Sequence, residues 1–144
     1  MSLREPRLKM SKSAPDGESR ILINDTRADI QRKISSALTD SEPNITYDAQ
    51  NRSGISNLLT LLSCFDARQR LPTVLAEEYH SLSKRDFKNL VVEAIDGGLA
   101  PIREKYNYYV CDRSLREFTL QGTIRAQERA AMTMKQVRDL VQLT

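Results

Sequence analysis

The sequence predicts an all-α fold, a helical bundle of four to six helices behind a flexible N-terminal loop. Apolar residues recur at helical spacing through most of the chain, and capping-box pairs precede three of these stripes. Turn-forming residues are instead concentrated between residues 11 and 19. The 144 residues are 40% hydrophobic and 28% charged, which is typical of a globular domain.

Composition excludes several classes of protein. No apolar run approaches the roughly 20 residues of a membrane span, and the opening MSLREPRLK lacks the apolar centre of a signal peptide. We therefore expect a soluble, intracellular protein without a membrane partner. Cys64 and Cys111 lack CxxC spacing and accompany a single histidine, His80, so we expect two buried thiols and no metal site. The net charge of +3 indicates polyanion binding only weakly.

The first 24 residues are predicted to form one segment, a flexible loop followed by a short strand. Residues 11–19 consist largely of Ser, Pro, Asp, Gly and Glu, which favour turns over a regular helix. The run ILIN at 21–24 is apolar and β-branched, which favours a strand. We expect residues 25–144 to form a separate helical domain.

Capping pairs and apolar stripes place the first helices. Thr26 and Asp29 have capping-box spacing, and the apolar residues after them predict a helix over 26–39. Residues 39–54 are polar and predict a connection. The next two stripes predict a longer and then a shorter helix, and their members are Ile55, Leu58, Leu59, Leu62 and Phe65, then Val74, Leu75 and Tyr79.

Two further helices complete the prediction. Ser83 and Asp86 open a helix that meets Pro101, where we expect a kink because the apolar stripe resumes at Ile102, Tyr106 and Tyr109. Ser114 and Glu117 have capping-box spacing at the start of a long last helix. The stripe of that helix is expected to pack in the core, and its members are Leu115, Phe118, Gly122, Ala126, Ala130, Met134, Val137 and Val141.

The sequence KMSKS, residues 9–13, suggests phosphate binding. Lys9 and Lys12 offer two ammonium groups, and Ser11 and Ser13 offer hydroxyl donors on a turn that can close on a ligand and release it. A basic linker or a phosphorylation site would explain the same five residues. The surrounding sequence is needed to decide between these alternatives.

The sequence around KMSKS resembles that of the class I aminoacyl-tRNA synthetases. The segments MSLREPRLKMSKS, IQRKISSALTDSE, YD, GISNLL and PIREKY follow one another in the order and at the spacing of the tryptophan-specific family, and the resemblance covers nearly the whole chain. The tyrosine-specific family is the nearest alternative. Ala14 departs from the family, which usually has Asp directly after the motif.

The resemblance implies a role for the loop in activating tryptophan with ATP and Mg²⁺. Lys9 and Lys12 would be catalytic, neutralising the pyrophosphate that leaves. The implied ATP-binding residues are Lys9, Met10, Ser11, Lys12 and Ser13, with Met10 as the apolar anchor. The family's Rossmann half would lie upstream, so we expect a C-terminal fragment that is inactive alone and whose Met1 need not be a true start.

The helices would bind tRNA(Trp), which is the other partner that the resemblance implies. The candidate contacts are Arg103, Lys105, Tyr108, Arg113 and Arg116. Tyr106 and Tyr109 lie on the apolar stripe and are expected in the core, which leaves Tyr108 as the residue to stack on an unpaired base. Most of the arginines would serve equally as a solvated helix face.

The resemblance also implies the setting of the complete protein. We expect a homodimer that binds tryptophan through the missing half and works in the mitochondrial matrix, with the bacterial cytoplasm as the alternative. A free-standing helical RNA-binding or interaction module that kept the loop without its chemistry is the competing hypothesis, and a tyrosine-specific enzyme is the third.

Overall fold

The computed structural model describes residues 1–141, apart from the side chain of Arg113. Its regular elements are a 3-10 turn at Gly17–Ser19 and the helices α1, Arg27–Ser35; α2, Ser53–Phe65; α3, Pro72–Glu78; α4, Lys84–Cys111; and α5, Arg113–Leu140. The chain divides into two compact units, Met1–Glu104 and Lys105–Thr144, which are described separately below. None of the described helices is long and apolar enough to cross a membrane.

The all-helical prediction is confirmed, but the short strand at 21–24 is wrong. No strand occurs in residues 1–141. The amide of Leu22 donates to the Asp25 carboxylate at 2.8 Å, and the amide of Asp25 donates to Leu22 O at 3.1 Å. These bonds satisfy the backbone within a local turn, so the apolar run needs no neighbouring strand.

Helix α1 begins where the sequence predicts, but it ends at Ser35 and not at residue 39. Asp29 N donates to Thr26 Oγ1 at 3.2 Å, and Thr26 N donates to the Asp29 carboxylate at 3.1 Å, which completes the capping box. The hydrogen bond from Thr26 Oγ1 and the ion pair with Arg32 lower the pKa of Asp29 to about 2. The helix ends at Ser35, since Ala37 N donates to Ile34 O and Leu38 N then donates to Leu3 O instead of continuing the helical pattern.

The C-terminal end of α1 is capped by a lysine from α4. Lys88 Nζ donates to Ser35 O at 2.9 Å, a carbonyl that the end of a helix leaves without an intrahelical partner, and to Ala37 O at 2.8 Å just beyond the helix. Burial, and then the charge of Lys84, lower the pKa of Lys88. This ammonium therefore joins α1 to α4.

The core of the first unit is built from faces of four helices. The predicted stripe of α2 is confirmed, since Ile55, Leu58, Leu59 and Leu62 are buried. The other helices and three loop residues complete the same cluster, with Ile30, Ile34, Leu75, Ala76, Phe87, Val91, Val92, Ile95, Leu99, Leu3, Ala37 and Ile45. Leu3 belongs to the loop segment, so that segment is part of the folded core.

The connection between α1 and α2 is organised by Arg52. Its guanidinium holds the Asp40 carboxylate in two bonds, Nε to Oδ2 at 3.0 Å and Nη2 to Oδ1 at 2.7 Å, and Nη1 donates to Asn44 O at 2.8 Å. Hydrogen bonding to Arg52 lowers the pKa of Asp40. A bidentate pair of this kind defines one arrangement for a long polar segment.

Helix α4 continues through Pro101 to Cys111, as the resumed apolar pattern predicts. The predicted burial after Pro101 is wrong, however. Ile102, Tyr106 and Tyr109 are 46%, 41% and 54% exposed. The stripe marks one face of a helix, but it does not guarantee that another element covers that face.

The start and the environment of α5 also differ from prediction. Asp112, not Ser114, is the N-cap, and its carboxylate accepts from Ser114 N at 3.0 Å. The stripe predicted to pack in the core is exposed, with Phe118 76% accessible. Both cysteines are exposed as well, contrary to the expected buried thiols, because Cys111 ends α4 and Cys64 lies off the buried face of α2.

One glycine permits a close backbone contact at the start of α2. A Cβ added to Gly54 would lie 2.3 Å from Leu38 O, whereas a Cβ added to Gly97 would meet nothing within 4 Å. We expect Gly54→Ala to lower the free energy of unfolding by about 1 to 3 kcal/mol, since the backbone of Leu38 must shift.

Urea unfolding of the 144-residue chain measures this effect, with Gly97→Ala in α4 as the matched control. That control is expected to raise stability by about 0.5 to 1 kcal/mol through helix propensity. Equal effects of the two substitutions would contradict the steric argument.

Candidate phosphate-binding loop

The two ends of the loop are tied together by backbone bonds. Leu3 N donates to Ser19 O at 2.9 Å, and Ser2 N donates to Leu8 O at 2.9 Å. Leu3 is 1% exposed. Residues 4–18 therefore form a loop whose two ends meet at one place.

The KMSKS residues lie on the outer part of this loop. Lys9, Ser11, Lys12 and Ser13 are exposed, while Met10 is half-buried and packs against the core. Ser11 Oγ and Ser13 Oγ are 3.2 Å apart, and Ala14 N donates to Ser11 O at 3.3 Å, which forms a turn at the second lysine. The loop thus presents two ammonium groups and two hydroxyls to solvent.

The acids that follow the motif are engaged elsewhere. Asp16 caps the 3-10 turn by accepting from Glu18 N at 2.9 Å, and it lies 3.7 Å from Arg4 Nε. Glu18 pairs with Arg32 of α1. In residues 1–141 neither Lys9 nor Lys12 forms an ion pair. Both ammonium groups are therefore available to an anion from solution.

A buried ion pair lies where the loop segment enters α1, and sequence patterns did not predict it. Lys33 Nζ is 2.5 Å from the Asp25 carboxylate, and both side chains are less than a tenth exposed. Arg103 Nη1 donates to Asp25 O at 2.7 Å. One signal was present, because Lys33 lies next to Ile34 and three residues after Ile30, on the buried face of the helix.

The candidate tRNA contacts are distributed over both units. Arg103 lies in the first unit and is partly buried, with Nη2 2.7 Å from the Asp96 carboxylate, so its guanidinium already has partners in the fold. Lys105 and Tyr108 are exposed one turn apart on α4. Arg116 is exposed in the first turn of α5; Arg113 begins that helix, but its side chain lies outside the described part of the structure.

Tyr108 is more accessible than its neighbour. It is 67% exposed, and its ring meets that of Tyr109 edge to face, with centroids 5.3 Å apart and planes at 78°. An exposed aromatic ring held by a neighbour can offer a face to an unpaired base. Because Tyr109 is exposed too, sequence periodicity alone did not separate the two rings.

A family model described as tRNA synthetases class I (W and Y) matches residues 1–100. Among curated relatives, a mitochondrial tryptophan–tRNA ligase from Dictyostelium discoideum is 41% identical over 145 residues, covering 99% of this chain and 38% of the relative. A tryptophan–tRNA ligase from Bacillus anthracis is 36% identical, covering 100% of this chain and 43% of the relative. The chain therefore spans about two fifths of the length of these relatives.

A solved structure has the same fold. The crystal structure of tryptophanyl-tRNA synthetase from Mycoplasma pneumoniae superposes with a TM-score of 0.69 at 28% identity, over 100% of this chain and 45% of that protein. The family match includes residues 4–18, here called the lysine loop, and covers well over half of the sequence. This chain belongs to the class I tRNA synthetases of the tryptophan and tyrosine family.

Proposed function

We propose that this chain is the C-terminal part of a tryptophan–tRNA ligase and supplies its ATP-phosphate loop and tRNA-binding helices. The observation that carries the proposal is the loop, which presents Lys9, Ser11, Lys12 and Ser13 together at the surface while Met10 anchors it. The named relatives are tryptophan–tRNA ligases, which supports tryptophan over tyrosine. Tyrosine remains the alternative that charging of the complete protein distinguishes.

The loop acts in amino-acid activation. A carboxylate oxygen of tryptophan attacks the α-phosphorus of ATP, the bond from that phosphorus to the bridging oxygen breaks, and pyrophosphate leaves with the negative charge. The Nζ groups of Lys9 and Lys12 neutralise this charge, and the hydroxyls of Ser11 and Ser13 donate to phosphate oxygens. Stabilisation that grows in the transition state raises kcat more than it lowers KM.

Magnesium enters this reaction as part of the substrate MgATP. Among the residues that the structure describes, no three His, Cys, Asp or Glu side chains come together as a metal site. In the proposed activation step, the lysine loop acts at the phosphate end of the nucleotide.

The helices of the second unit bind the tRNA in the second step, when tryptophan is transferred from its adenylate to the tRNA. Lys105, Arg113 and Arg116 contact phosphates and Tyr108 stacks on an unpaired base. Arg103 is left out of this surface because its guanidinium is bonded to Asp96 and to Asp25 O.

The complete protein is proposed to be a homodimer of the mitochondrial matrix. The mitochondrial relative supports this compartment, and the Bacillus relative supports the bacterial cytoplasm equally well. The homodimer rests on the family resemblance alone. Sedimentation of the complete protein tests the oligomeric state.

The 144-residue chain alone is expected to show no tryptophan-dependent ATP–pyrophosphate exchange, because isolated lysines cannot position an amino acid against an α-phosphate. Adding the N-terminal catalytic half of the Bacillus anthracis ligase is expected to restore exchange. Exchange by the chain alone contradicts the proposal. Complex formation without any exchange favours the alternative of a free-standing RNA-binding module.

In the reconstituted ligase, Lys12→Ala is expected to lower the kcat of ATP–pyrophosphate exchange about 100- to 1000-fold, with a much smaller change in the KM for ATP. Steady-state exchange kinetics measure both constants. Lys135→Ala, an exposed lysine of α5, is the matched control and should leave exchange unchanged. A raised KM with normal kcat in Lys12→Ala would mean that the loop binds ground state and transition state equally.

Arg116→Glu is expected to weaken tRNA binding and to leave ATP–pyrophosphate exchange intact, since it reverses a charge at a proposed phosphate contact. Loss of this phosphate contact should also flatten the slope of log affinity against log salt concentration by about 0.7 to 0.9. Filter binding over a salt series measures both effects. Arg85→Glu makes the same charge change on α4 within the first unit and serves as the control; equal loss in both variants would point to net charge alone.

A further inference from the structure

The guanidinium of Arg20 supports the lysine loop. Its Nη1 donates to Ala14 O at 2.7 Å and to Asp16 O at 3.1 Å. The first of these carbonyls belongs to the residue directly after the KMSKS motif. Arg20 itself lies next to Ser19, whose carbonyl closes the loop by accepting from Leu3 N. One side chain thus connects the fixed base of the loop to the end of the motif.

Few other groups can hold this part of the loop. Ala14 has only a methyl side chain, and Pro15 has no amide hydrogen to donate. Ser19 Oγ donates to Asp16 O at 2.6 Å, which restrains Asp16 but not Ala14. Among the residues that the structure describes, Arg20 is the one side chain that bonds to the backbone of Ala14.

Ala14 is the last residue of the turn that carries Lys12. Ala14 N closes the turn by donating to Ser11 O at 3.3 Å, so Lys12 and Ser13 are the two central residues of a turn whose last residue is held by Arg20. If Ala14 moves, this turn opens and the Lys12 ammonium moves with it. A displacement of about 1 Å in a catalytic group can cost about 100-fold in rate.

The bonding of Arg20 is not what a purely stabilising arginine would have. Its Nε is buried and has no hydrogen-bond partner among the described residues. An unpartnered buried donor offsets part of what the two Nη1 bonds contribute to stability. A lysine here would remove that cost together with the two-carbonyl geometry, so Arg20→Lys can loosen the loop with little loss of global stability.

We infer that Arg20 is a positioning residue for Lys12, which holds the closing turn of the phosphate-binding loop through Ala14 O and Asp16 O. Arg20 does not touch the nucleotide; it acts through the lysine. The inference rests on the proposed function of the loop for its kinetic consequence, whereas its effect on the order of the loop belongs to this chain alone.

Hydrogen exchange of the 144-residue chain tests the effect on the loop. In Arg20→Lys and Arg20→Met, peptides that cover residues 11–19 are expected to exchange about tenfold faster or more, which corresponds to loss of a charge-assisted hydrogen bond. Peptides from α2 and the urea midpoint of Arg20→Lys are expected to change little. Arg7→Lys, in the same loop but bonded to Gln50 O, is the matched control. Unchanged exchange at 11–19 in both Arg20 variants overturns the inference.

Steady-state kinetics of ATP–pyrophosphate exchange by the reconstituted ligase test whether Arg20 acts through Lys12. Arg20→Lys is expected to lower kcat about tenfold or more with a smaller change in the KM for ATP. In the Lys12→Ala background the same substitution should have no further effect, because the group that it positions is gone. If the double variant instead loses kcat by the product of the two single-variant factors, the role of Arg20 through Lys12 is overturned. A reconstituted ligase that is inactive with the unaltered chain would count against the proposed function, and hydrogen exchange would still decide whether Arg20 orders the loop.

Discussion

The backbone of Leu3 bonds in two directions, and both the loop and the helices depend on these bonds. Its amide donates to Ser19 O and its carbonyl accepts from Leu38 N, each at 2.9 Å. Its side chain is buried in the cluster formed by the helices of the first unit. Two backbone bonds and a buried side chain thus fix the base of the lysine loop to the helical core.

A second constraint lies on the path from the loop into α1. Asp25 binds Lys33 through its carboxylate and Arg103 through its carbonyl, so the turn before the helix is held from α1 and from α4. Removing one partner of such a buried pair leaves an uncompensated charge, which typically costs about 3 to 5 kcal/mol. Charged groups that the sequence would place at the surface thus fix the position of the loop relative to the core.

The second unit differs from the first in how many large apolar side chains are exposed. Helix α5 has an amphipathic pattern and exposes large apolar side chains, among them Phe118 and Leu140 at 76% and 83%. A monomeric soluble protein seldom leaves such residues together on one helix. This chain corresponds to about two fifths of the length of its curated relatives.

The sequence by itself determined the local structure wherever one residue answers another within a few positions. The Thr26 and Asp29 pair, the stripe of α2 and the turn-rich loop all follow from spacing, because capping and amphipathicity are short-range effects. The KMSKS motif likewise defines the candidate site by sequence alone. Only the tertiary structure decided what covers each apolar face and which charges meet. Arg20 reaches Ala14 O across six residues and Lys33 meets Asp25 across eight, because irregular turns bring these positions together. Tyr109 is exposed because burial depends on which other element covers a helix face. Helical spacing encodes neither of these.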